Sequence, residues 1–349
     1  MLMTTLFQRY NYSNDWMLQP DDIENVVFKK TPNVYYIQPD GYLNFSELEK
    51  GFYQVDNSYF ESFLDENGFT YYRDFRSNYD STLNSNSANF MMKHHYYLDD
   101  HQFSETINAR DIIISRNPVL EIFKKNNYQT YFLSEKPYLM LNRPKMGYDV
   151  CNISYEDVPY LGTGLTTNVD VVPFLTTYLN TRSQSPTFFF IEIFNPGHIQ
   201  NVQINSQEVE KELWLKSLAR ANKKIEDMIT IIKEKDPEAL ILMMADHGGF
   251  VGLDAINDIN TKTQNRDKIY SIFSSSLAIH WPNNDDPVYE SVLKSSVNVF
   301  RVLFSYLGEE ESYLDYLQPN ESYITIKKGA VPGVYQYIDD QGKIVFKKR

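Results

Sequence analysis

Ala239-Leu-Ile-Leu-Met-Met-Ala-Asp-His-Gly-Gly249 is the stretch that decides the fold. A short apolar run bounded by turn residues reads as a buried strand. This one delivers an acid and an imidazole, Asp246 and His247, side by side at its carboxyl end, where open α/β sheets place their ligands. Alone, an Asp-His-Gly after a strand is most often a polar turn. The pair gains weight because two other strand ends carry the same kind of chemistry.

The first of these is Asn33 to Gln38, a strand by its β-branched and aromatic content, which ends at Pro39-Asp40-Gly41. The second is Thr187 to Phe194, which runs into Asn195-Pro196-Gly197-His198. Asp40 and His198 therefore stand where Asp246 and His247 stand on their own strand. Between them lies a polar stretch from Arg76 that turns apolar at Phe90 to Met92, predicting a helix that starts close to Thr82. A Thr there is ordinarily a cap. At a helix start it also lies beside free N–H groups that favour an attached anion.

The remaining elements frame an α/β chain. Ser58 to Asn67 reads as a helix, with Ser58 and Glu61 spaced as a capping box and Gly68 as its stop. Pro118 to Asn126 reads as a helix and Tyr128 to Leu133 as a strand. Glu208 to Lys235 carries Trp214, Leu218, Ala221, Ile225, Met228, Ile229 and Ile232 as one apolar stripe, and it feeds the opening strand as in an ordinary α/β unit. Ser274 to Trp281 reads as a strand, Tyr289 to Leu307 as an amphipathic helix, and Gly333 to Lys348 as a hairpin around Asp339-Asp-Gln-Gly342. Three segments are expected: an irregular lead-in over 1–30, one α/β domain over 31–308, and a C-terminal extension over 309–349 packed on that domain.

Composition narrows the function classes. The 349 residues are 42% hydrophobic, enough for a sizeable core. A net charge of -13 argues against a nucleic-acid binder, while leaving room for a phosphorylated substrate beside a bound cation. The single cysteine, Cys151, excludes an internal disulfide framework and a multi-cysteine zinc site. Met1 to Trp16 lacks the apolar core of a signal peptide, and no run reaches the length of a membrane span. The chain reads as soluble, with membrane association only through a removed anchor or a partner. His94-His95 and His280 read as packing or hydrogen-bonded histidines rather than ligands.

Asp40, Thr82, Asp246 and His247 together offer three oxygens and one imidazole, a set that suits one divalent ion such as Zn, Mn or Mg. With these pieces in this order, the chain resembles sulfatase-like members of the alkaline phosphatase superfamily. It is similar to the catalytic domains of lipoteichoic acid synthase and phosphoethanolamine transferase, bacterial enzymes of that group. The matching pieces are Pro32-Asn-Val-Tyr-Tyr-Ile-Gln-Pro-Asp40-Gly, Asn67-Gly-Phe-Thr-Tyr-Tyr, the Thr82 helix start, Phe188 to His198, Asp246-His247-Gly248 and Ser275 to Gly308.

The resemblance implies an α/β/α sandwich with a central, mostly parallel sheet and a small C-terminal hairpin. It implies that Asp40, Thr82, Asp246 and His247 hold the ion, that Thr82 attacks and becomes phosphorylated, and that His198 orients the substrate or protonates the leaving group. It also implies a phosphorylated lipid or glycan substrate and an extracytoplasmic location. Sulfatases of the superfamily carry a Cys/Ser-x-Pro-x-Arg signature where this chain has Thr82-Leu-Asn-Ser-Asn, so phosphoryl transfer is expected over sulfate ester hydrolysis. A non-catalytic protein that keeps the fold for metal or glycan binding is the rival from another class.

Overall fold

The computed structural model describes residues 15–96, 108–181, 185–198, 207–285, 287–289 and 291–349. Its centre is a seven-stranded sheet. The strands are β1 (Val34–Pro39), β2 (Phe69–Tyr71), β3 (Gln129–Ser134), β4 (Val150–Cys151), β5 (Thr187–Ile193), β6 (Leu240–Met244) and β7 (Leu277–His280), in the order β2-β7-β6-β1-β5-β3-β4. β7 runs antiparallel to both of its neighbours, and the other pairs are parallel.

The three central strands are apolar on both faces because both faces are covered. Tyr35, Ile37, Phe189, Ile191, Ile241 and Met243 point into one core, and Val34, Tyr36, Phe188, Phe190, Leu240 and Leu242 into the other. Helices α1 (Ser58–Glu66), α4 (Val171–Thr181), α5 (Gln207–Lys235) and α6 (Arg266–Phe273) cover the first face. Helices α2 (Thr82–Met91), α3 (Pro118–Lys125) and α7 (Val299–Gly308) cover the second. The result is an α/β/α sandwich. The stripe expected on α5 is buried from Trp214 to Ile232, each large apolar side chain contributing roughly 1.5–3 kcal/mol.

Four local expectations are corrected. Asn57 is the cap residue of α1, so Ser58 and Glu61 form no capping box, and Glu61 pairs with Arg73 at 2.7 Å instead. The strand expected over Ser274 to Trp281 begins at Leu277. Before it, the Ser275 and Ser276 N–H groups donate to the Phe75 and Tyr42 carbonyls, away from the ladder. The helix expected from Tyr289 begins at Val299, after a turn over Ser296–Asn298. There Lys294 and Ser296 pair with the backbone of Arg76, and the Asn78 amide bonds Ser295, Ser296 and Val297. Those contacts take the backbone groups a longer helix would need.

The fourth correction concerns the carboxyl end. The expected hairpin, β9 (Gly333–Ile338) and β10 (Ile344–Lys348), gains a third antiparallel strand, β8 (Ser322–Ile326). Ile324, Ile326, Tyr335, Tyr337 and Ile338 enter the same core as α5 and β1. In the lead-in, residues 15–30 hold two short turns, and Asp21 pairs with the fully buried Arg301 at 2.6 Å. No helix among the described residues is long and apolar enough to cross a membrane.

Candidate metal centre

β1, β5 and β6 lie side by side and end together, so their exit turns meet. Asp40 leaves β1 with its N–H bonded to the Ile193 carbonyl, and its own carbonyl accepts from Gly197, both at 2.8 Å. The approach is so close that a Cβ on Gly41 would lie 2.5 Å from the Gly197 oxygen, and Gly41 also holds a φ of +65. Helix α5 fixes the same turn from outside: the Trp214 indole donates to the Gly197 carbonyl at 2.9 Å and the Asn195 amide to Ser217 at 2.8 Å.

On β6, the turn Asp246-His247-Gly248-Gly249 presses against α6. The Gly248 N–H donates to the Ile272 carbonyl at 2.9 Å, and a Cβ at Gly248 would stand 2.1 Å from the Ser271 oxygen. The glycines are therefore a packing requirement of the turn that presents the Asp-His pair.

Around the His247 Nε2 atom three oxygens converge: Asp40 Oδ1 and Asp246 Oδ2, each at 3.4 Å, and Thr82 Oγ1 at 3.5 Å. Thr82 arrives as the first residue of α2. The His247 Nδ1–H donates to the Gly248 carbonyl at 2.9 Å, which leaves the Nε2 lone pair facing the oxygens. The outer oxygen of Asp246 accepts from its neighbour His247 N–H at 3.0 Å and Gly41 N–H at 3.3 Å. The two carboxylate oxygens that face His247, Asp40 Oδ1 and Asp246 Oδ2, are buried and have no hydrogen-bond partner among the described residues.

That arrangement fits a divalent cation. Buried carboxylate oxygens without a donor are costly, and a cation removes the cost. Two ligands about 2.0–2.1 Å from a tetrahedral zinc lie about 3.3 Å apart, close to the separations found here. Asp40, Asp246 and His247 each offer a ligand atom, all within 4.8 Å of one another. The protonation chemistry agrees. Burial, then the charge of Asp246, raises the Asp40 carboxyl above its ordinary value, against the pull of His247, His198 and Lys136. Burial works to lower the His247 imidazole, but Asp246 and Asp40 outweigh it and raise it.

His198 stands beside this group, its ring 5.7 Å from that of His247. Both imidazoles pack against Phe250, each with centroids 5.0 Å apart. Phe250 adopts a left-handed backbone at φ 59, which is uncommon for an aromatic residue and costs conformational energy. The five residues singled out in the sequence are thus brought to one place. Phe250 was not among them, although it follows the Asp-His-Gly-Gly turn directly. Nor was Lys136, two residues past β3, whose ammonium lies 5.2 Å from the Phe194 ring centroid and donates to the Leu165 carbonyl at 3.1 Å. His94, His95 and His280 lie elsewhere, buried and hydrogen-bonded to backbone carbonyls.

Comparison with known proteins places this geometry in a fold. No protein-family model matches the chain, and no curated protein matches its sequence. Solved structures do match. The C-terminal periplasmic domain of EcEptC from Escherichia coli, in complex with Zn, superposes with a TM-score of 0.57 at 11% identity, over 91% of this chain and 95% of that one. The lipooligosaccharide phosphoethanolamine transferase A of Neisseria meningitidis gives a TM-score of 0.58 at 12% identity, over 88% and 60%. A Bacteroides thetaiotaomicron 4S-sulf protein, tied to metabolism of multiple glycosaminoglycans, gives 0.56 at 12%, over 91% and 89%. The chain therefore shares the alkaline phosphatase-like fold of these structures. At these identities the likeness is one of fold, and the chemistry has to be argued from the site.

Proposed function

We propose that this protein is a metal-dependent phosphoryl-transfer enzyme that works through a phosphorylated Thr82. The observation that carries the reading is the convergence of two partnerless buried carboxylate oxygens, an imidazole nitrogen and the Thr82 hydroxyl within 3.5 Å at the carboxyl edge of the sheet. Asp40, Asp246, His247 and the Thr82 oxygen would hold one divalent ion. When bound, that ion would offset negative charge on the transferred group and ease ionisation of the Thr82 hydroxyl.

The chain's own residues supply the rest. Thr82 Oγ1 forms the bond to phosphorus while the ester bond to the alcohol breaks, and the hydroxyl proton is lost to solvent. His198, held flat against Phe250, gives its proton to the departing oxygen. The α2 N-terminus directs its free N–H groups and dipole toward the phosphoryl oxygens. Lys136, close enough to Asp40 to favour its ionised form, is the cation placed to meet the substrate's charge. Substrates of this reading are phosphorylated lipids or glycans, acted on outside the cytoplasm, as the names of the periplasmic EcEptC domain and the lipooligosaccharide transferase suggest by analogy.

Elemental analysis with activity measurement tests the reading. Purified protein is expected to hold about one equivalent of Zn or Mn and to cleave bis-p-nitrophenyl phosphate in preference to p-nitrophenyl sulfate. Asp246→Ala should lose metal and activity together, whereas Thr82→Ala should lose activity and keep the metal. Full activity in Thr82→Ala would sink the nucleophile assignment. Preferential release of sulfate would support the second reading, a sulfuric ester hydrolase, which the 4S-sulf neighbour motivates. A folded protein with neither metal nor activity would point to a binding protein.

A further inference from the structure

A cavity of about 690 Å³ opens where the end of β2 meets the start of α6, and none of Asp40, Thr82, His198, Asp246 or His247 lines it. Its wall carries five cations, Lys50, Arg73, Arg76, Arg266 and Lys294, against two carboxylates, Glu47 and Asp74. That is a local positive excess in a chain whose net charge is -13. Two of the cations are already answered: Arg266 pairs with Glu47 and Arg73 with Glu61, each at 2.7 Å.

Arg76 is different. It is only 5% exposed, yet it makes no ion pair with any described residue. One end of its guanidinium donates to the Asp339 carbonyl at 3.1 Å and to the Asn320 carbonyl, and its Nε is buried with no acceptor among the described residues. Burial lowers its proton affinity, against the pull of Tyr270, Asp340 and Asp339. A guanidinium so placed, with exposed Lys50 and Lys294 at the cavity wall, is suited to the negative charge of a tetrahedral oxyanion. Tyr71 adds an aromatic wall on which a sugar ring can stack, while the Arg266 guanidinium lies over the Tyr270 ring at 4.2 Å.

We propose that this cavity is a second binding site, which takes a phosphate or sulfate ester carried on a sugar, with Arg76 as its buried anchor and Lys50 and Lys294 at its rim. The site is separate from the metal centre and does not depend on the chemistry assigned there.

Titration calorimetry of the whole chain with glucose 6-phosphate, glucose 6-sulfate, inorganic phosphate and glucose tests the proposal. At least one ester is expected to bind saturably, and which one does separates phosphate from sulfate. Inorganic phosphate should bind about tenfold more weakly than the preferred ester, and glucose not at all. The exposed pair Lys50→Glu/Lys294→Glu should weaken ester binding by about tenfold or more, Arg76→Lys by a similar factor, and Asp246→Ala not at all. Absence of saturable binding by both esters overturns the proposal. So does binding that is lost in Asp246→Ala and kept in the Lys50→Glu/Lys294→Glu variant. Because Asp246→Ala removes the metal centre alone, failure of this site and failure of the catalytic reading are distinguishable.

Discussion

Phe250 shows how one side chain can govern a site it does not join. Its ring lies against both His198 and His247, so it fixes the separation of a metal-ligand candidate and an acid candidate. Phe250→Ala would leave the oxygens around His247 in place and free the His198 ring. We expect the bound metal to be retained and turnover to fall roughly ten- to a hundredfold, the usual cost of losing a supporting group around such a centre. Metal analysis beside turnover measured across pH checks this; loss of the metal would show that Phe250 supports His247 more than His198. Asp40, Thr82, His198, Asp246 and His247 could be picked out in the sequence because each stands at the end of a strand or the start of a helix, where local pattern reveals position. Phe250 and Lys136 could not, since what each does rests on rings and carbonyls from distant segments. Trp214 was legible only in part. Its spacing placed it in the apolar stripe of α5, while its indole bond to Gly197 depends on the β5 exit turn arriving alongside.

Among the elements, β1 and β5 are joined at their exits more tightly than strand pairing alone requires. Gly41 bears the contact, since any side chain there meets the Gly197 carbonyl and must also hold a positive φ. Gly41→Ala should therefore separate the Asp40 turn from the His198 turn. Overpacking of this kind costs about 1–3 kcal/mol, and the left-handed backbone adds about 1 kcal/mol. A chemical denaturation series is expected to show a loss in that range together with weakened metal binding, and a variant with unchanged stability and metal content would remove the proposed link. The elements legible in the sequence were those with a clean period: β1, β5 and β6 as apolar runs, and α5 as a stripe. Elements whose limits are set by partners were misplaced. The segment from Tyr289 carries apolar residues at helical spacing, but Arg76 and Asn78 claim its backbone up to Val297. Ser58 and Glu61 have the spacing of a capping box, but Arg73 draws Glu61 away. The third strand of the C-terminal sheet, Ser322–Ile326, was missed because its pairing with β9 is visible only once the hairpin is in place.

Across the whole molecule, the C-terminal segment docks where α2 ends; the buried His94 joins it there, and the buried His95 ties the same turn back onto α2. The His94 Nε2–H donates to the Pro319 carbonyl at 2.8 Å, and its Nδ1 accepts from the Tyr79 hydroxyl at 3.1 Å. The His95 Nε2–H donates to the Asn84 carbonyl at 3.0 Å, with its ring stacked on Tyr79. Both rings are satisfied as neutral imidazoles. Burial pushes His94 down to about 4 and His95 down to about 3, from an ordinary 6.5. As pH falls below 6.5 the unfolded chain takes up these protons and the folded chain does not, so the pair lowers stability progressively until the folded values are reached. A tenfold difference in proton affinity between the folded and unfolded chain corresponds to about 1.4 kcal/mol, which makes the loss on the order of 3 kcal/mol per histidine near pH 4. The Glu192 carboxyl, raised chiefly by its burial, acts in the opposite sense: the folded state holds its proton more firmly, so acid favours the fold at that residue. The histidine contribution is therefore read as a difference between proteins. His94→Gln/His95→Gln keeps a donor at each position and removes the titration. Its stability, followed by denaturant unfolding from pH 7 to pH 4, should fall less steeply than that of the unaltered chain. Parallel curves for the two proteins would mean that the joint opens to solvent and that the C-terminal segment contributes less to the fold than its contacts imply.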